Sequence, residues 1–179
     1  MPDMVMNPEA VIRSERLGFF WEVEYIPGPH SRSLGLKREK ELTHNILLNE
    51  GERNLLDEYF RGQNTPPTFW LGLHSGDIAE TATLANITEP SQLGYGRKQL
   101  ARSTTGWPTL AIDADDFQVT GATVTFESNQ TSWLQVNRIF LASQQTGAVG
   151  SVLLEAPLTI PRVLASQDTL AITAKIKAQ

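Results

Sequence analysis

Apolar and polar residues alternate through much of this chain. In LGFFWEVEYI, residues 17–26, Trp21, Val23 and Tyr25 are separated by Glu22 and Glu24. A period of two predicts a strand with one buried and one wet face. The next segment, PGPHSRS, predicts a turn, because Pro27, Gly28 and Pro29 cannot continue a ladder. The charged run LGLKREKEL, residues 34–42, then pairs back as a hairpin, with Lys37, Arg38, Glu39 and Lys40 on an exposed edge. The period changes at Asn49. Glu50 and Glu52 follow it, Leu55, Leu56, Tyr59 and Phe60 recur at helical spacing, and Gly62 closes the run. This predicts an amphipathic helix over residues 50–61, N-capped by Asn49 and packed on the sheet.

Past that helix the pattern is strand and turn. Thr68–Leu73 places Phe69, Leu71 and Leu73 on one face and Trp70 on the other. Residues 75–92 read as a long polar loop in which ETATLANI forms about two helical turns. Residues 94–102 make a strand around Tyr95, and residues 103–116 are irregular. FQVTGATVTFES turns Val124 and Phe126 inward, with Gly121 marking a bulge or turn. WLQVNRIFLAS is continuously apolar at Ile139–Ala142, as a central strand is. After the turn Gln144–Gly150 come SVLLEAPL and a last strand with Leu170, Ile172, Ala174 and Ile176 on one face. About eight to ten strands with one or two helices predict a mainly β chain, a jelly-roll-like antiparallel β-sandwich. Residues 1–16 are polar and carry Pro2 and Pro8, which suggests an extended N-terminal arm on a single domain spanning 17–179.

Composition narrows the function classes. The 15 basic and 20 acidic residues leave a net charge of −5, unlike the basic stripe of a nucleic-acid binder. Cysteine is absent, so disulfides, thiolate zinc sites and cysteine nucleophiles are excluded. MPDMVMNPEA lacks the charged and apolar regions of a signal peptide, and no apolar run reaches the roughly 18–20 residues of a membrane helix.

Each candidate for chemistry has a plainer reading beside it. His74, Ser75 and Asp77 suggest a hydrolase fragment, yet no G-x-S-x-G elbow is present and neighbours in sequence are not a triad. His30 and His44 have no ligand-type partner at helical or strand spacing, and His44 with Asn45 suits a turn before the helix. Asp113, Asp115 and Asp116 suggest calcium, but an EF-hand counted from Asp113 would need glycine and glutamate where Gln118 and Val124 stand. Glu22 and Glu24 share a strand face about 7 Å apart, a glycosidase-like separation on one solvated strand. Trp21, Trp70, Trp107 and Trp133 suit either a glycan platform or core anchors, with Trp107-Pro108 the best placed for exposure. Gly94-Tyr95-Gly96 is too short for a phosphate loop. No catalytic, cofactor or metal residue is therefore assigned.

The order of segments resembles a group of small tailed-bacteriophage virion proteins. The residues that carry it are Leu55–Phe60, Phe69–Gly76, Tyr95-Gly96-Arg97, Trp107, Ala122–Phe126, Trp133–Leu141, Gly150–Leu158 and Leu164–Leu170. The preceding FFWEVEY…KREKELTHNILLNEG is similar to an extension on some members. Gln167 departs from the pattern, which commonly has glycine before the aspartate. The resemblance implies a non-enzymatic virion protein assembled in the host cytoplasm. Its first expectation is a capsid cement or decoration protein, a trimer bound to the major capsid protein, with neither nucleic acid nor membrane as partner. Its second is a tail-fibre-like receptor-binding or adaptor protein, in which Trp107 and residues 75–92 would meet host glycan. A carbohydrate-active enzyme using Glu22 or Glu24 is a distant third.

Overall fold

In a computed structural model the protein is described over residues 17–44, 46–62, 68–113, 116–129 and 132–178. The expected arm, residues 1–16, lies outside the described residues. Two antiparallel sheets pack face to face. The first has the order β2-β1-β11-β7-β6 with β8 also on β11; the second has the order β3-β10-β9-β4-β5. The strands are β1 (Leu17–Ile26), β2 (Glu39–His44), β3 (Ile46–Leu47), β4 (Thr68–His74), β5 (Lys98–Ala101), β6 (Thr109–Asp113), β7 (Asp116–Thr120), β8 (Val124–Glu127), β9 (Val136–Ala142), β10 (Val152–Arg162) and β11 (Thr169–Ala178). The chain passes between sheets at β2–β3, β5–β6, β8–β9 and β10–β11. This is the mainly β sandwich the alternation predicts.

The core between the sheets is built from the predicted inward faces. Trp21, Val23 and Tyr25 of β1 meet Leu71 and Leu73 of β4, Ile139 and Leu141 of β9, and Leu170, Ile172 and Ala174 of β11. β1 and β11 pair along their whole length, from Leu17 opposite Ala178 to Ile26 opposite Thr169. β9 is central in its sheet, as its continuous apolar run requires. β7 and β8 both lie along β11, and the Gly121 N–H donates to the Ala174 carbonyl between them at 2.8 Å. They are one strand with a break at Gly121.

Several expectations are corrected. PGPHSRS is a single helical turn, α1 (Pro29–Ser33), because Pro29 supplies a helical φ at the first position. The charged strand begins at Glu39, so Lys37 and Arg38 precede it. The helix α2 (Asn49–Arg61) is capped by Leu48, whose side chain cannot accept a hydrogen bond; Asn49 is already helical. Gly62 ends α2 in the left-handed region, φ 63°, as predicted. Leu55 and Leu56 are largely exposed. α2 instead approaches β10 through Gly51, where an added Cβ would lie 2.1 Å from the Leu153 carbonyl oxygen. The Glu50 carboxylate fastens this contact by accepting from Val152 N–H at 2.8 Å. Tyr95 precedes β5 instead of centring it, and residues 109–113 form β6 where irregular chain was expected.

The largest revision concerns residues 75–92. They hold one 3-10 turn, Leu84–Asn86, in place of two helical turns. They are also less polar in effect than in composition. Ile78, Ala82 and Leu84 are buried with Leu48, Phe140, Ala142 and Val152, and Trp70 packs on them. This segment covers the outer face of the second sheet and closes a second core.

Candidate functional site

Of the hydrolase candidates, His74 lies beneath that covering segment, and Ser75 and Asp77 belong to it. His74 is 2% exposed at the end of β4. Its Nδ1 accepts from Thr88 N–H at 2.8 Å, and Nε2 lies 3.4 Å from the Asp77 carbonyl. The Ser75 hydroxyl donates to the Thr88 carbonyl at 3.1 Å. Asp77 turns to solvent and pairs with Arg138 at 3.1 Å. His74, Ser75 and Asp77 therefore hold backbone and a cation, and the structure does not join them as a triad. Arg138 also donates to Glu155 at 2.8 Å, and Glu155 is buried. Burial pushes the Glu155 carboxyl above its ordinary value, against the pull of Arg138.

Glu22 and Glu24 are an ion-paired surface. Lys175 donates to Glu22 at 2.7 Å, Arg38 donates to Glu24, and Lys40 lies near both. The hydrogen bond from Lys175 holds Glu22 below its usual range, and that from Arg38 does the same to Glu24. Neither is poised as the proton donor a glycosidase requires. His44 packs edge-on against Phe20 at 4.6 Å between ring centres; Asn45, expected beside it in a turn, lies outside the described residues. Among the described residues no group of three or more His, Asp or Glu side chains is placed to hold a metal. Asp115 and the side chains of Asp113 and Asp116 lie outside the described residues.

The tryptophans are anchors. Trp21 and Trp133 are buried at 1% and 2% exposure. Trp70 packs beneath residues 75–92. Trp107, expected to be exposed, is half-buried and edge-on to Phe69 at 6.4 Å. It helps line an apolar cleft of about 130 Å³ with Phe19, Phe69, Leu55, Leu154 and Ile176. A flat aromatic platform for sugar is therefore missing among the described residues.

Tyr95-Gly96-Arg97 has a structural meaning that spacing alone could not show. Tyr95 stacks on Phe126 at 6.1 Å and meets Trp133 edge-on at 5.5 Å. Its hydroxyl accepts from Leu73 N–H at 2.9 Å and donates to Glu89 at 2.6 Å. Arg97 is buried, takes Glu89 at 2.6 Å, and donates to the carbonyls of Gln144 and Gly147 at 2.9 and 3.0 Å. Its guanidinium also lies 5.3 Å above the Phe140 ring. The motif thus clasps the β4–β5 connection and the β9–β10 turn together around one carboxylate. Desolvation, aided by Glu89, raises the Tyr95 phenol above its usual value.

Asp168 does the same just before β11. It is fully buried and accepts from Tyr25 hydroxyl at 2.8 Å, Gly28 N–H at 2.6 Å, Ser31 hydroxyl at 2.8 Å and Ala165 N–H at 3.0 Å. Every one of those donors fixes the β1–α1 turn or the approach to β11. Gln167 before it is left-handed, φ 68°. That conformation explains why glycine is common at this position in the resembling proteins.

One surface feature went unread in the sequence. Leu110 and Ile112 of β6 and Phe117 of β7 are 71%, 65% and 60% exposed. Ile112 stands opposite Phe117 and Leu110 opposite Val119, so all four share one face. No helix among the described residues is long and apolar enough to cross a membrane.

No curated protein matches the chain. A family model described as Podophage GP4 fiber I protein gp80 matches residues 47–176. The matched span opens at β3 and ends within β11, so it takes in the Tyr95–Arg97 clasp, Asp168 and most of both sheets, and leaves outside β1, α1 and the charged strand β2, and with them Tyr25, Gly28 and Ser31 that donate to Asp168. The chain belongs to the Podophage GP4 fiber I protein gp80 family, a family of bacteriophage fibre structural proteins.

Proposed function

We propose that this protein is a non-enzymatic component of a phage tail fibre that attaches and spaces other virion subunits. The observation that carries this reading is the fibre-family match running from β3 to β11. It backs the tail-fibre expectation better than the capsid-cement one. The side-chain chemistry favours an adaptor role over a glycan-reading one. Buried carboxylates and cations are spent on holding loops, the paired glutamates are neutralised by Lys175 and Arg38, and the tryptophans fill cores. Partners on this reading are other fibre or tail proteins and further copies of the chain, recognised through β-sheet edges and apolar faces.

Separating purified particles into heads and tails, and quantifying the chain in each by mass spectrometry, tests the location. The chain is expected with the tails; recovery with the heads would restore the cement reading. Glycan turnover by the purified protein, lost in Glu22→Gln or Glu24→Gln, would overturn the non-enzymatic part.

A further inference from the structure

Asp168 is an anchor whose main partners come from far along the chain. Tyr25 hydroxyl, Gly28 N–H and Ser31 hydroxyl reach it from residues 17–44, the hairpin β1–α1–β2. In that hairpin β1 pairs with β11 from end to end and sends Trp21, Val23 and Tyr25 between the sheets. Toward the hairpin, the rest of the domain is therefore an acceptor. It offers the edge of β11, a slot in the core and a buried carboxylate. An unpaired strand edge is a template for another strand, and a buried carboxylate without donors is costly, so the slot requires an occupant.

The hairpin joins the acceptor by a short hinge. β2 ends at His44 in the first sheet and β3 begins at Ile46 in the second, with Asn45 alone between them. Packed sheets stand about 10 Å apart, and two residues span at most about 7 Å. β2 is consequently drawn in toward the second sheet at this corner, where the Thr43 hydroxyl donates to the Pro157 carbonyl. A short hinge that folds an element back on its own chain favours exchange of that element between copies. If β2 and β3 run straight on, the hairpin leaves its own β11, and the contacts it loses are remade on the β11 and Asp168 of the next copy. The fibre-family match begins at Leu47, directly after this hinge.

We infer that residues 17–44 are an exchangeable hairpin, which one copy of this chain donates to the β11–Asp168 slot of another. The inference deepens the subunit-joining reading and rests on it for the setting in which copies meet. A second copy is the occupant because the slot is already matched to this hairpin in backbone register, in core side chains and in the donors to Asp168, and every copy brings one. The charges match as well, with Glu22 of the hairpin meeting Lys175 of the acceptor at 2.7 Å and Glu39 meeting Arg162. Donor and acceptor contacts are the same in the folded-back and exchanged arrangements, so the concentration of copies decides between them. A fibre holds its subunits close, which raises that concentration.

The chain has no cysteine, so introduced pairs report without background. Glu22→Cys with Thr173→Cys joins facing positions of β1 and β11. Glu22→Cys with Leu42→Cys joins facing positions within the hairpin. Light and isotope-heavy copies of each double variant of the full chain are unfolded together in urea, refolded at high concentration, oxidised and digested, with circular dichroism confirming the fold. Exchange predicts linked peptides from positions 22 and 173 that have one light and one heavy half, and linked peptides from positions 22 and 42 of a single isotope. Glu24→Cys with Ala171→Cys repeats the test at a second facing pair if the first folds poorly. Single-isotope peptides across β1 and β11, or mixed peptides in equal share from both kinds of pair, would overturn the inference. The location of the chain on heads or tails is read separately, so exchange and the fibre reading can each fail alone.

Discussion

Gln167 and Asp168 act as a pair at the tightest corner of the fold. A left-handed conformation costs a side-chain-bearing residue roughly 1–2 kcal/mol, and Gln167 adopts it at φ 68°. Gln167→Gly is therefore expected to stabilise the protein by about 1 kcal/mol, less the entropy glycine adds to the unfolded chain, read as a higher urea midpoint. Asp168→Ala strands four donors at once, three of them buried, and is expected to cost about 4 kcal/mol. Arg97→Lys tests the other clasp. Lysine keeps the charge but loses the fork that holds Glu89 and two carbonyls together, so a loss of about 2–3 kcal/mol is expected. Tyr25 and Tyr95 both have phenols raised above 10 chiefly by burial. The unfolded chain then loses these protons first as pH climbs past about 10, and stability falls with rising pH there. A urea titration series at alkaline pH should show that slope, shallower in Tyr95→Phe.

At the scale of elements, the segment 75–92 matters more than its composition suggests. Leu84→Ala removes a side chain only 2% exposed from the second core, and about 3 kcal/mol of destabilisation is expected by chemical denaturation. Gly72→Ala is expected to do comparable damage, since its Cβ would meet the Phe140 ring at 2.3 Å. Most strands were legible because each buries one face, and a period of two survives in Trp21–Tyr25 and Leu170–Ile176. The segment 75–92 was not legible because its buried Ile78, Ala82 and Leu84 follow no repeat; an irregular chain covers a sheet with whichever residues happen to reach it. β6 was missed for a related reason. Leu110 and Ile112 do alternate, but five residues after Trp107-Pro108 give too short a run to separate from a loop. The role of Tyr95 and Arg97 depended on Glu89, which spacing cannot connect to them, and on turns at Gln144 and Gly147 distant in sequence.

The whole molecule is a sandwich whose polar chemistry is turned inward to hold loops and whose unsatisfied surface is apolar. Glu155, Asp168, Arg97 and His74 are all buried. What faces outward includes the charged strand β2 at one edge and the exposed Leu110, Ile112 and Phe117 at another, which on the proposed reading are the equipment of a subunit that joins others. That equipment sits on a fibre-family domain, which is why its place in the particle is the central claim. A three-dimensional map of the intact particle, resolved well enough to recognise the two-sheet sandwich, tests that claim most directly. The account predicts the domain on a tail fibre or at its attachment to the tail. Finding it on the capsid lattice between capsomers, with none at the tail, would contradict it.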